Sequence, residues 1–188
     1  TTSASPKPEE SFASEHDLRL MPKLGPLYIL AAIRAHFGRR MTLSYIDLTR
    51  DTPEDLVARV QDFKPDIVGL SSVSTDAKIF HQCAATLAEV WPCRIIAGGP
   101  YPSCDPEKVM ADERIDISVL GEGELTIVEL LKALRDGRPL RDVKGIIYRE
   151  GDALHRTPPR PFIEDLDKLP YPDYSMVDME THSILHIA

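Results

Sequence analysis

The chain has 188 residues, 43% of them hydrophobic, with 22 Lys and Arg against 30 Asp and Glu for a formal charge of -8. That length accommodates one domain with an appendage, and the apolar content fills a core of that size. The acidic balance excludes a nucleic-acid partner, and the lack of a bilayer-length apolar run or a signal-peptide plan leaves no membrane partner and points to a cytoplasmic chain.

Residues 1–23 are rich in Ser, Pro, Glu and Lys without periodicity and read as an extended lead-in. From Leu24 the spacing of Leu27, Leu30, Ala31 and Ile33 predicts a helix that opens around Pro26 and stops at Gly38. The segment Met41 to Asp47 (MTLSYID) predicts a strand, and Thr52, Pro53 and Asp55 predict the capped start of the next helix. A strand follows at DIVGLSS, whose unbroken Ile, Val and Leu suit burial on both faces. Phe80, Cys83, Ala84 and Leu87 mark a helix ending before Pro92, and CRIIAGG is the next strand. DPEKVMAD is a short helix capped by Asp105, IDISVL a strand, and Ile127 to Leu134 the face of a helix stopped at Gly137. GIIYREGDALHRT predicts a β-hairpin over 141–157, and the Pro-rich 158–188 an ordered strap or linker. Alternating strands and helices predict an α/β, Rossmann-like (flavodoxin-like) domain over 24–140, with a parallel sheet and helices on both faces.

In such a sheet the ligand sits beyond the carboxyl ends of the strands. Three loops fall there, GLSSVST (Gly69–Thr75), AGGPYPS (Ala97–Ser103) and LGEGE (Leu120–Glu124). A dinucleotide fits them poorly: the third glycine of the fingerprint is Thr126, and two carboxylates would face a pyrophosphate. A P-loop is excluded because no Gly-Lys-Ser/Thr occurs, and a phosphorylation receiver would need an Asp where Ser71-Ser72 stands. Carboxylates in such a loop suit a ligand covered in neutral amides. The three cysteines, Cys83, Cys93 and Cys104, lack metal-site spacing.

DIVGLSSVST, IIAGGPYPS, DISVLGEGELTIVELLKAL, KGIIYREG and DLDKLPYPDYSMVD, taken in that order, resemble the N-terminal cobalamin-binding domain of cobalamin-dependent radical S-adenosylmethionine enzymes. That family includes methyltransferases and anaerobic magnesium-protoporphyrin monomethyl ester cyclases. The resemblance implies cobalamin across the strand ends, its nucleotide tail inserted beside the sheet. Ser71, Ser72 and Val73, with Ser74 and Thr75, would then meet the tail's base; Gly98 and Gly99, with Pro100 and Tyr101, would let the backbone approach the tail. Gly121, Glu122, Gly123 and Glu124 would lie at the corrin rim as acceptors for its amides, with Leu24 and Gly25 under the corrin. The small residues agree with the clearance a flat base needs.

Two departures qualify the resemblance. The Asp-x-His-x-x-Gly that supplies a cobalt-ligating histidine in related corrinoid proteins is absent, so the expectation is base-off cobalamin with no ligand from His16, His36, His81, His155, His182 or His186. The three-cysteine motif of the radical domain is also absent, so S-adenosylmethionine and a [4Fe-4S] cluster would belong to a catalytic domain elsewhere in the same parent chain, and the first strand of a sheet ordered 2-1-3-4-5 could precede residue 1, leaving a gap. The chain itself is expected to be non-catalytic. A reading from a different class stays open: a non-catalytic flavodoxin-like interaction or regulatory domain whose loops are small only because they turn tightly.

Overall fold

The computed structural model describes residues 22–49 and 51–177. Most of the expected lead-in, the end of the strap, and His16, His182 and His186 lie outside the described residues. The helices are α1 (Leu24–Phe37), α2 (Pro53–Phe63), α3 (Ala77–Val90), α4 (Pro100–Cys104), α5 (Pro106–Met110) and α6 (Glu124–Asp136); the strands are β1 (Ile67–Ser71), β2 (Arg94–Gly98), β3 (Ile117–Val119), β4 (Ile146–Glu150) and β5 (Ala153–Arg156). No helix among the described residues is long and apolar enough to cross a membrane.

The strands form one sheet in the order β1-β2-β3-β4-β5. β1, β2 and β3 are parallel, with Ser71 opposite Gly98 at the carboxyl end. β4 joins β3 antiparallel and β5 follows antiparallel, so the expected hairpin extends the sheet rather than standing apart from it. Strand alternation divides the core in two. Ile95 and Ala97 of β2 and Ile147 of β4 face Leu56, Val60, Phe80, Ala84 and Leu87 from α2 and α3. Ile96, Ile117, Val119, Ile146 and Tyr148 face Ile33, Phe37, Ile127, Leu130 and Leu131 from α1 and α6. Helices therefore cover both faces, as the chain order predicts.

The helix stops follow local chemistry. Gly38 and Gly137 end α1 and α6 with positive φ. At α2, Thr52 Oγ1 accepts from Asp55 N–H at 3.2 Å while Asp55 Oδ2 accepts from Thr52 N–H at 2.9 Å. This reciprocal pair satisfies two otherwise unpaired donors. Thr52→Ala is expected to cost about 1 kcal/mol of stability, read as a lower midpoint in urea with an unchanged slope.

The predicted strand Met41–Asp47 does not form. Residues 42–47 make no ladder bonds, although Met41 and Leu43 pack on the α1/α6 core and Ile46 and Leu48 on the α2/α3 core. Its side chains alternate as a strand's would, but a strand also needs a neighbour for its backbone. Among the described residues β1 is therefore the sheet's edge, and an open cleft of about 560 Å³ is lined by Met41 and Ile67 among others. For the same reason β1, read from sequence as covered on both faces, is only half-buried.

Candidate functional site

The carboxyl ends of β1, β2 and β3 present the three loops together, bonded to one another through α4. Tyr101 N–H donates to Ser72 O at 2.9 Å, joining the loops after β1 and β2. Ser103 Oγ donates to Gly99 O at 2.8 Å and accepts Gly121 N–H at 3.0 Å, joining the loops after β2 and β3. The second turn of α1 packs against the last of these loops, because a Cβ on Gly123 would lie 2.8 Å from Ile29 Cδ1. Leu24 and Val73 are 47% and 45% exposed, which is high for large apolar side chains.

The two central glycines have different duties. A Cβ on Gly98 would meet nothing within 4 Å. One on Gly99 would lie 2.7 Å from Ser71 Oγ and 3.3 Å from Ser72 O, and Gly99 has φ +90°. Gly99 is thus demanded by the fold, whereas the space beside Gly98 is free for a ligand. Gly121 is similarly open, with φ +71°.

Among the expected hydroxyls, Ser71, Ser74 and Thr75 are exposed. Ser72 Oγ donates to Val73 O at 2.9 Å, and Thr75 Oγ1 donates to Asp76 Oδ1 at 3.3 Å in the turn that leads into α3. Pro100 is exposed at the start of α4, and Gly25 is exposed in α1. The side chain of Tyr101 instead turns into the core: it is 4% exposed and meets Phe80 edge-on at 5.6 Å, leaving only its backbone at the loops.

The acidic pair is also divided. Glu122 Oε2 accepts from Ile163 N–H at 2.6 Å, so the strap takes up one of its oxygens. Glu124 Oε2 is shielded yet has no hydrogen-bond partner among the described residues. The strap runs on to α1, where Asp173 N–H donates to Leu27 O at 3.1 Å and Arg34 pairs with the Asp173 carboxylate at 2.5 Å. Arg160 holds its first part to α6 through Thr126 Oγ1 at 2.7 Å and through Glu129.

Behind the loops lies a polar cluster that spacing does not reveal. Asp112 Oδ2 is 2.7 Å from His81 Nδ1, and His81 Nε2 is 3.1 Å from Tyr101 Oη. Arg114 Nε donates to Asp112 Oδ1 at 2.6 Å. Burial would raise the Asp112 carboxyl, but hydrogen bonds from Arg114 and His81 outweigh it and hold its pKa at about 2, against 3.8 ordinarily. A depressed carboxylate stabilises above its unfolded pKa, so this contribution of about 2 kcal/mol is present above pH 4 and lost as pH falls through about 2. Asp112→Asn is expected to lower stability at neutral pH by that order and to flatten the acid limb in urea titrations. The remaining described histidines lie elsewhere: His36 on α1, and His155 stacked on Tyr148 in the hairpin.

Residues 18–131 match the B12 binding domain family. An uncharacterized methyltransferase of Pyrococcus horikoshii, PH0819, is 34% identical over 167 residues, 86% of this chain and 35% of that protein. The anaerobic magnesium-protoporphyrin IX monomethyl ester cyclase of Synechocystis sp. is 29% identical over 180 residues, 94% of this chain and 36% of the cyclase. The chain thus spans little more than a third of these relatives' length. Among solved structures, the cobalamin-dependent S-adenosylmethionine radical enzyme OxsB with aqua-cobalamin and S-adenosylmethionine bound matches with a TM-score of 0.70 at 21% identity, covering 83% of this chain and 22% of OxsB. The radical S-adenosylmethionine methyltransferase TsrM of Kitasatospora setae, with cobalamin and a [4Fe-4S] cluster bound, matches at 0.61 and 19%, covering 80% and 29%. At these identities the likeness is one of fold.

Proposed function

The chain belongs to the B12-binding domain family, and we propose that it holds cobalamin across the carboxyl ends of β1–β3 as the corrinoid-binding part of a larger radical S-adenosylmethionine enzyme. The observation that carries the placement is the free space at Gly98, where a Cβ would meet nothing within 4 Å although its neighbour Gly99 is crowded by Ser71 and Ser72. The tail passes along this opening, between Ser71 to Thr75 and Pro100. Exposed Leu24 and Val73 offer apolar contact to the corrin, beside Gly25 and Gly121. Glu124 supplies an acceptor at the rim, since a shielded carboxylate oxygen without a donor costs about 1–3 kcal/mol and gains by turning toward an amide N–H.

Cobalamin so held is base-off, with no protein histidine on cobalt. His81, the described histidine nearest these loops in the hydrogen-bond network, has both ring nitrogens engaged by Asp112 and Tyr101. Bound cobalamin supplies methyl-group or electron transfer, while this chain's residues bind it, orient it and shield one face. The catalytic partner is a domain bearing the [4Fe-4S] cluster and S-adenosylmethionine in the same parent chain, and the parent reaction is methyl transfer or oxidative cyclisation. Support comes from the names of the relatives and from the chain spanning only 35% and 36% of two of them.

The test is reconstitution with hydroxocobalamin, desalting and a visible spectrum. About one corrinoid per chain with a base-off spectrum is expected. A folded sample that elutes colourless contradicts the assignment.

A further inference from the structure

We propose that Asp112 and His81 are positioning residues for the cobalamin site: through Tyr101 they set the place of α4, and α4 sets the three strand-end loops. The proposal rests on the cobalamin assignment for its functional consequence, but its geometry stands without the ligand.

α4 has only five residues, too few to persist by its own hydrogen bonds. Its position must come from outside contacts. Its backbone and Ser103 hold Ser72 O, Gly99 O and Gly121 N, so any shift of α4 moves the loops after β1, β2 and β3 together. The Tyr101 side chain anchors it on the opposite side. That ring is buried against Phe80, and its hydroxyl meets His81 Nε2 at 3.1 Å. A phenol in an apolar slot could settle at several depths; the hydrogen bond selects one.

Asp112 makes that bond directional. Its side chain is 5% exposed, and its carboxylate takes Arg114 Nε on Oδ1 and both Arg114 Nη2 and His81 Nδ1 on Oδ2. An ionised carboxylate only accepts, so Nδ1 carries a proton, and in the neutral form of the ring Nε2 accepts from the Tyr101 hydroxyl. A carboxylate fixing the tautomer of an imidazole, which then aims a third group, is the arrangement that orients histidines around metal centres. Here the group aimed is a loop anchor. None of Asp112, His81 and the Tyr101 hydroxyl needs to touch the ligand.

Three variants of the full chain test this: Tyr101→Phe, His81→Leu and His81→Gln. Amide exchange at Tyr101, Ser103 and Gly121 is measured in corrinoid-free protein, and hydroxocobalamin affinity by titration. Tyr101→Phe and His81→Leu are each expected to speed exchange and weaken affinity about fivefold, the loss of one partly buried hydrogen bond, with unchanged far-ultraviolet circular dichroism. His81→Gln, whose side-chain carbonyl can accept the tyrosine proton where Nε2 did, is expected to restore most of both. Nitrogen NMR of the parent should show the Nδ1–H tautomer in the neutral form of the ring.

His81→Gln behaving like His81→Leu, Tyr101→Phe changing neither reading, or an Nε2–H tautomer would each overturn the proposal. Tyr101→Phe, which removes a single oxygen, carries the test if His81→Leu fails to fold. Should the parent bind no corrinoid, the cobalamin assignment falls, while the exchange rates still decide whether the chain of hydrogen bonds positions α4.

Discussion

Gly98→Val is expected to weaken hydroxocobalamin binding by about fivefold or more while leaving the thermal midpoint of the unliganded chain nearly unchanged. Gly98 ends β2 opposite Ser71, and a Cβ there would project into space with no neighbour within 4 Å. A β-branched side chain also suits the extended backbone of a strand. The unliganded protein therefore has little reason to object. A tail lying there would: two added methyls in its proposed path would force displacement of either the tail or β1, and overpacking of this kind costs about 1–3 kcal/mol, roughly a fivefold to 150-fold loss of affinity. Ser71→Leu, entering the same opening from the neighbouring strand, should act in the same direction. Isothermal titration of variant and parent checks both; equal affinities would remove the tail from this opening.

Gly99→Ala should do the reverse, striking the fold before the ligand. Gly99 has φ +90° and ψ -169°, a region occupied almost solely by glycine. Its added methyl would sit 2.7 Å from Ser71 Oγ and 3.3 Å from the backbone oxygen of Ser72. The hydroxyl can swing aside, but the backbone oxygen is held by Tyr101 N–H. Strain and contact together should cost roughly 2–4 kcal/mol, lowering the thermal midpoint by about 5–15 °C for a chain of this size. Calorimetry of the unliganded variant checks this, and a midpoint within a degree or two of the parent would show that the turn relaxes without the glycine. The pair separates clearance for a ligand from clearance for the backbone, two duties that adjacent glycines share without distinction in the sequence.

Helices, strands and the strand-end loops were legible because their signals are local. Thr52 and Asp55 announce a capping box three residues apart, and Gly137 announces a stop. What escaped was non-local or cooperative. Met41–Asp47 carries strand alternation and sends Leu43 and Ile46 to opposite cores, yet among the described residues it lacks the neighbour that would make it a strand. α4 hides in AGGPYPS because Gly-Gly-Pro reads as a turn, although Pro100 also suits the first position of a helix. The two glutamates looked equivalent as ligand acceptors until Ile163, 41 residues onward, was seen to engage one of them. His81 on α3 and Asp112 in the turn after α5 are 31 residues apart, a pairing that no spacing rule connects.

On the proposed assignment, the loops Ser71–Thr75, Gly98–Cys104 and Gly121–Glu124 form one cobalamin site. Hydrogen exchange of the folded chain with and without hydroxocobalamin tests it most directly. The expected result is slowed exchange in all three loops, with the β4–β5 hairpin unchanged. Retained corrinoid that protects none of the three, or exchange that is the same throughout the chain with and without the ligand, would contradict it.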